Sequence, residues 1–333
     1  MRADCHIHMV LDGVYWKAAI AHQKERVDEA LVRQRLEEYR RCGAEYLRDG
    51  GDAWGVGLFA SQIALEYGIR YRTPAFPIHK NGHYGGFIGR GFDDMVQYRA
   101  LVAEARAQGA HFIKIMISGL MDFDHLGVLT DEPLTEAEIH DMIAIAHDAG
   151  FAVMAHANGD KTVAAAIRAG VDSVEHGAYL EKETLHLLAE RGTVWVPTLV
   201  TIGNLIGCGR FPDEVLRPLL SGAMENVRLA ASLGARIAPG SDAGAYRVLH
   251  GQGMLDEYAL LRQAIGEGNG VCWKKFRFRR GGVLHNQVDH IGFRAVPQGQ
   301  GGSSHLVQVD GGRVGDKGGT LGIPQRSEKI PDT

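Results

Sequence analysis

"FAVMAHANGDKTVAAAIRAGVDSVEHG", residues 151–177, decides the fold. "FAVMAH" is a short apolar run of strand type. "DKTVAAAIRAG" is a helical stretch closed by Gly170, and "VDSVEHG" is a second apolar run. Strand, helix and strand in immediate succession predict a parallel pair with its helix packed outside. The same unit recurs in both directions along the chain.

Upstream, the predicted strands are "DCHIH" (4–8), "AEYLRDGG" (44–51), "IRYRTPAFPI" (69–78) and "HFIKIMIS" (111–118). Helices alternate with them. "EALVRQRLEEYRRCG" (29–43) and "FDDMVQYRALVAEARAQG" (92–109) end on glycine caps, and "GLFASQIALEYG" (57–68) lies between. "LTEAEIHDMIAIAHDAG" (134–150) opens with Thr135 as N-cap and Glu138 three residues on, a capping box. Downstream follow the helix "EKETLHLLAERG", the strand "TVWVPT", a long helix over Asp213–Gly234, the strand "ARIAPGSDAG" and the helix "GMLDEYALLRQAIG". Eight such units predict an α/β fold of the (β/α)8 TIM-barrel type, which typically needs about 250 residues. A doubly wound open sheet is the rival, but "HIHMVLDG" after the first strand lacks the glycine-rich phosphate loop that fold usually places there.

Composition narrows the function classes. The 333 residues are 45% hydrophobic and 23% charged, with formal net charge −4, which argues against nucleic acid or an anionic membrane as main partner. Neither a transmembrane run nor a signal peptide is legible. The four cysteines, Cys5, Cys42, Cys208 and Cys272, are scattered, as expected of reduced thiols in the cytoplasm. A homo-oligomer is compatible with all of this. The domain expectation is a barrel over 1–267 followed by an atypical segment, 268–333. There "KKFRFRRGG", "GQGGSS" and "GGRVGDKGG" are basic and glycine-rich, the mark of a disordered appendage or of a shifted reading frame.

Parallel barrels carry their chemistry at the C-terminal strand ends. His6 and His8 share one face of the first strand, because side chains alternate along it. Two neutral imidazoles so placed can grip a divalent cation, or can be two satisfied histidines at a chain terminus. His156, His176 and Asp242 end later strands. Lys114 sits inside "HFIKIMIS", where an ammonium is costly. Burial makes its neutral amine accessible, so it can capture carbon dioxide as a carbamate. The alternative is an ammonium that reaches the barrel mouth or pairs with a carboxylate.

"DCHIH", "IKIMISG", "MAHANG", "SVEHG" and "PGSDAG", in that order, resemble the amidohydrolase superfamily, and its imidazolonepropionase-like and prolidase-like branch most closely. "YLRDGGD" and "AIRAGVDSVEHG" share that likeness, which spans roughly Asp4 to Gly266. The resemblance implies two divalent metal ions, with zinc the expected metal, although the sequence itself does not choose it over manganese or iron. His6 and His8 would hold the more buried ion, and His156 and His176 the second. Carboxylated Lys114 would bridge the two. Asp242 would touch the first ion and serve as catalytic base. It also implies a small β-sandwich around the barrel, which the sequence does not show: the barrel motif starts at residue 4, and the tail does not match the family's closing segment.

The activity so implied is hydrolysis of an amide-like C–N bond in a small molecule: an N-acyl amino acid, a dipeptide or a cyclic amide. Ester, lactone or phosphoester hydrolysis on the same centre is one alternative, and an inactive metal-binding barrel is another. Substrate contacts are expected from loops after the strands. His83, Tyr84 and Arg90 lie in "HKNGHYGGFIGRG", and His125 in "GLMDFDHLGVLTDEP".

Overall fold

Strands β1 (Arg2–Ile7), β2 (Ala44–Asp49) and β3 (Arg70–Arg72) form one parallel sheet. The second sheet runs through β4 (Pro77–Lys80), β5 (Arg90–Phe92), β6 (Ile113–Met116), β7 (Val153–Ala157), β8 (Ser173–His176), β9 (Val194–Val196) and β10 (Arg236–Ile237). Its order is β5-β4-β6-β7-β8-β9-β10, all parallel, with a two-residue β11 (Phe293–Arg294) antiparallel beside β10. The computed structural model describes residues 2–266 and the backbone of β11. The expected domain boundary and the tail beyond it otherwise lie outside the described residues.

Every residue of β6, β7, β8 and β9 is buried, which explains their near-continuous apolar reading: helices cover one face and the molecular interior the other. The helices are α1 (Trp16–Gln23), α2 (Glu29–Arg41), α3 (Val56–Ile63), α4 (Met95–Ala107), α5 (Glu136–Asp148), α6 (Asp160–Arg168), α7 (Lys182–Arg191), α8 (Val200–Gly203), α9 (Asp213–Ser232) and α10 (Gln252–Ile265). Their ends follow local chemistry. The Asp94 carboxylate caps α4 by accepting from the Val96 and Gln97 amides, both at 2.9 Å. The capping box of α5 is formed as expected, Thr135 and Glu138 each accepting from the other's backbone. None of the helices among the described residues is long and apolar enough to cross a membrane.

Three departures from the sequence reading have physical causes. "IRYRTPAFPI" is not one strand: Pro74 has no amide hydrogen to give, and Ala75 adopts φ +66°, so the ladder breaks into β3 and β4. The end of the loop read as 79–91 pairs beside β4 as β5. The last strand shortens to two residues, with Pro239 and Gly240 just beyond Ala238. The chain nevertheless continues alongside β1: the Cys5 amide donates to the Pro239 carbonyl (2.8 Å), Asp242 to His6 (2.6 Å) and His8 to Ala243 (2.7 Å). These bonds bring residue 242 beside residues 6 and 8.

Candidate metal centre

His6 is the penultimate residue of β1 and His8 follows its end, so both side chains project on one side, with their Nε2 atoms 3.4 Å apart. Asp242 Oδ1 lies 3.4 Å from His6 Nε2 and 3.3 Å from His8 Nε2. Ligand atoms of these three residues all fall within 4.8 Å of one another, a separation one cation can span. The ring of His176, at the end of β8, lies 5.0 Å from that of His6 and 4.6 Å from that of His156 on β7. His156 turns Nε2 to the Gly119 carbonyl (3.1 Å), and His176 turns Nδ1 to Thr198 Oγ1 (2.8 Å). Each of these contacts engages one ring nitrogen.

Strain concentrates here. Among the described residues six non-glycine residues have positive φ, and three belong to this cluster: His176 (+67°), Thr198 (+48°) and Asp242 (+58°). Such conformations cost on the order of 1–3 kcal/mol each and persist only where the surroundings over-determine them. Here the His176 carbonyl accepts from Trp195 Nε1 at 2.9 Å. Asp4, fully buried, accepts from both the amide (2.8 Å) and the hydroxyl (2.6 Å) of Ser241 and so fixes the approach to Asp242.

Burial, reinforced by the charge of Lys114, holds His6 well below the usual imidazole range and His156 at about 3. Burial and the neighbouring imidazoles do the same for His176. All three rings are therefore neutral, the form that binds metal. Burial also pushes the Asp242 carboxyl upward, but His6, His8 and Lys114 together outweigh it and leave the group below its ordinary value, a carboxylate. Lys114, fully buried on β6, is lowered to about 8 by desolvation. Its Nζ has no hydrogen-bond partner among the described residues.

His6, His8, Lys114, His156, His176 and Asp242 line one cavity of about 370 Å³. Its other walls are mostly apolar, with Trp16, Phe87, Met121, Phe123, Leu205 and Phe211 among them. Tyr84 is there too, its ring 4.8 Å from that of His156. The other residues read as substrate contacts do not line it. His83 Nδ1 faces the Glu132 carbonyl at 3.2 Å. Arg90 pairs with Glu104 and stacks over Phe76. His125 is exposed and holds Asp122 at 2.9 Å. The cavity does contain a cation that sequence reasoning missed. Arg210 lies between the rings of Phe211 (5.1 Å) and Tyr246 (4.6 Å), with no carboxylate partner among the described residues. Also missed was Glu175, under His6 and paired to Arg48 at 2.7 Å. Their strands, "AEYLRD" and "SVEH", are already polar, so neither residue stands out locally as Lys114 does in "IKIM".

The residue pattern of the Amidohydrolase family matches residues 32–273. An uncharacterized protein of Mycobacterium tuberculosis is 30% identical over 288 residues, covering 83% of this chain and 72% of that protein. An ochratoxinase of Aspergillus niger is 26% identical over 279 residues, covering 72% of this chain and 56% of that enzyme. Among solved structures, a Xaa-Pro dipeptidase with methionine bound in its active site superposes with TM-score 0.63 at 22% identity, covering 79% of this chain and 70% of that one. The A. niger ochratoxinase structure superposes with TM-score 0.63 at 21% identity, covering 79% and 68%. At these identities the two structures speak for the fold alone.

Proposed function

The chain belongs to the amidohydrolase family, whose members generally use divalent metals, and from that premise we propose that it is a metal-dependent hydrolase of an amide-like C–N bond. The two sheets are read as one (β/α)8 barrel. In support, the chain after β10 is hydrogen-bonded to β1, and β3 and β4 are consecutive on one stretch of chain. The candidate ligands then share the C-terminal mouth.

The single observation that carries the metal reading is Lys114. A fully buried amine with no hydrogen-bond partner among the described residues, lining one cavity with four histidines and lowered to about 8 by desolvation, gives up its proton more readily than an ordinary lysine. As a neutral amine it can add to carbon dioxide with loss of one proton, giving a carbamate whose two oxygens share one negative charge. His6, His8 and Asp242 would then hold one ion, and His156 and His176 a second, with the Lys114 carbamate between them. Zinc is the expected metal. Bound there, such ions would supply a Lewis acid for the scissile carbonyl and an acidified water.

The remaining chemistry belongs to the chain. Asp242 is the carboxylate positioned to take a proton from the attacking water and deliver it to the leaving nitrogen. The apolar walls exclude bulk water and accept an apolar side chain. Arg210 offers a guanidinium for a carboxylate. An N-acyl amino acid or dipeptide with an apolar side chain matches that combination best. The test is turnover across N-acyl amino acids, dipeptides, amides lacking the carboxylate, lactones and phosphotriesters. The carboxylate-bearing amides should be the best substrates. A protein that turns over only lactones or triesters would contradict the reading.

A further inference from the structure

We propose that Glu175 is the positioning residue for His6, fixing the tautomer that presents His6 Nε2 to the cavity, and that Arg48 holds Glu175 in place for it; this rests on the reading of His6 as a metal ligand. Glu175 is fully buried on β8, opposite His156 in register. Its Oε1 accepts from Arg48 Nη2 and from Ser173 Oγ, both at 2.7 Å. Arg48, also buried, donates to Ser173 Oγ (2.9 Å) and to the Cys5 carbonyl (2.7 Å), so its fork is anchored to β8 and β1 together. Arg48 and Glu175 thus form a buried ion pair.

The second oxygen is what a purely structural ion pair does not need. Glu175 Oε2 lies 3.0 Å from His6 Nδ1. The contact is at hydrogen-bond distance without meeting hydrogen-bond geometry, and among the described residues neither atom has another hydrogen-bond partner. Buried polar atoms find partners, and these two have only each other. A carboxylate only accepts, so His6 Nδ1 must carry the hydrogen. The Nε2 lone pair then points where His8 Nε2 and Asp242 Oδ1 also converge, at 3.4 Å each. A lone pair facing a second imidazole and a carboxylate is an arrangement completed by a cation. Partners of this kind commonly contribute about 10–100-fold to metal affinity.

Glu175→Gln makes a sharp test because Arg48 has only donors. It demands the amide oxygen at the Oε1 position, which turns the amide NH₂ toward His6 Nδ1 and forces that nitrogen to accept. The tautomer should invert to Nε2–H. The measurement is long-range ¹H–¹⁵N correlation on metal-free, ¹⁵N-histidine-labelled protein, paired with zinc affinity by chelator competition. We expect Nδ1–H at His6 in the parent, Nε2–H in the variant, and about 10–100-fold weaker binding of one zinc in the variant. An Nε2–H tautomer in the parent overturns the proposal without recourse to any variant, as does an unchanged tautomer in a folded Glu175→Gln. A parent that keeps the Nδ1–H tautomer but binds no zinc overturns the metal reading itself, and with it the purpose assigned to the contact.

Discussion

In the proposed reaction Asp242 carries the proton transfer; its backbone is held at φ +58°, and Oδ1 meets both His6 and His8. Asp242→Asn preserves shape and removes the base. Turnover should fall by about 10²–10⁴-fold with little change in melting temperature; an asparagine variant of near-parental rate would place the base elsewhere. His8 depends on a neighbour without a side chain. A Cβ on Gly50 would stand 2.3 Å from His8 Cε1, so Gly50→Ala must displace that ring. Zinc affinity should drop while the helical circular dichroism stays intact, and unchanged affinity would show that His8 is not a ligand. At the cavity mouth, Arg210→Met should raise KM for carboxylate-bearing amides by about tenfold, in line with the loss of one charge-assisted hydrogen bond, and leave amides lacking a carboxylate unaffected. Legibility at this scale depends on locality. Lys114 stands out inside its own strand, whereas Arg48 and Glu175 acquire meaning through a pairing across 127 positions that no local pattern encodes. Arg210 lies in a loop without periodicity, so only the cavity reveals it.

The elements were legible where hydrophobic period and caps agree. α5 is the clear case, with Thr135 and Glu138 satisfying its first amides. Thr135→Ala should cost about 1 kcal/mol in denaturant unfolding without touching the candidate metal ligands. Elements governed by tertiary contacts were less legible. β10 is two residues long, yet the chain beyond it keeps its place through bonds to β1 rather than through strand propensity. A second buried device joins α10 to the start of α8: Glu257 accepts from the Val200 amide at 2.8 Å, and burial pushes its carboxyl from 4.5 to about 8. The folded state therefore keeps a proton that the unfolded chain releases above about 4.5. Its stabilising contribution is complete below that value, declines as pH rises through the window and levels off above 8. Unfolding free energies between pH 5 and pH 8 should consequently fall less for Glu257→Gln than for the parent, and parallel pH curves would contradict this account.

On the scale of the whole molecule, strands far apart in sequence deliver four histidines, a lysine and an aspartate to one cavity. The order of motifs along the chain made that convergence legible, because a parallel β/α repeat brings all strand ends of one polarity to the same side. The cavity's apolar walls and the buried charges beneath His6 come from packing between units, which the repeat does not specify. The central claim is that this convergence is a two-metal centre bridged by Lys114. Two nearby cations repel, so an anionic bridge stabilises the pair where an ammonium would oppose it. The most direct measurement is metal content per chain after loading with zinc in bicarbonate, for the parent and for Lys114→Ala. About two ions in the parent and about one in the variant are expected of a two-metal site. One ion in both proteins, or none in either, would contradict the account.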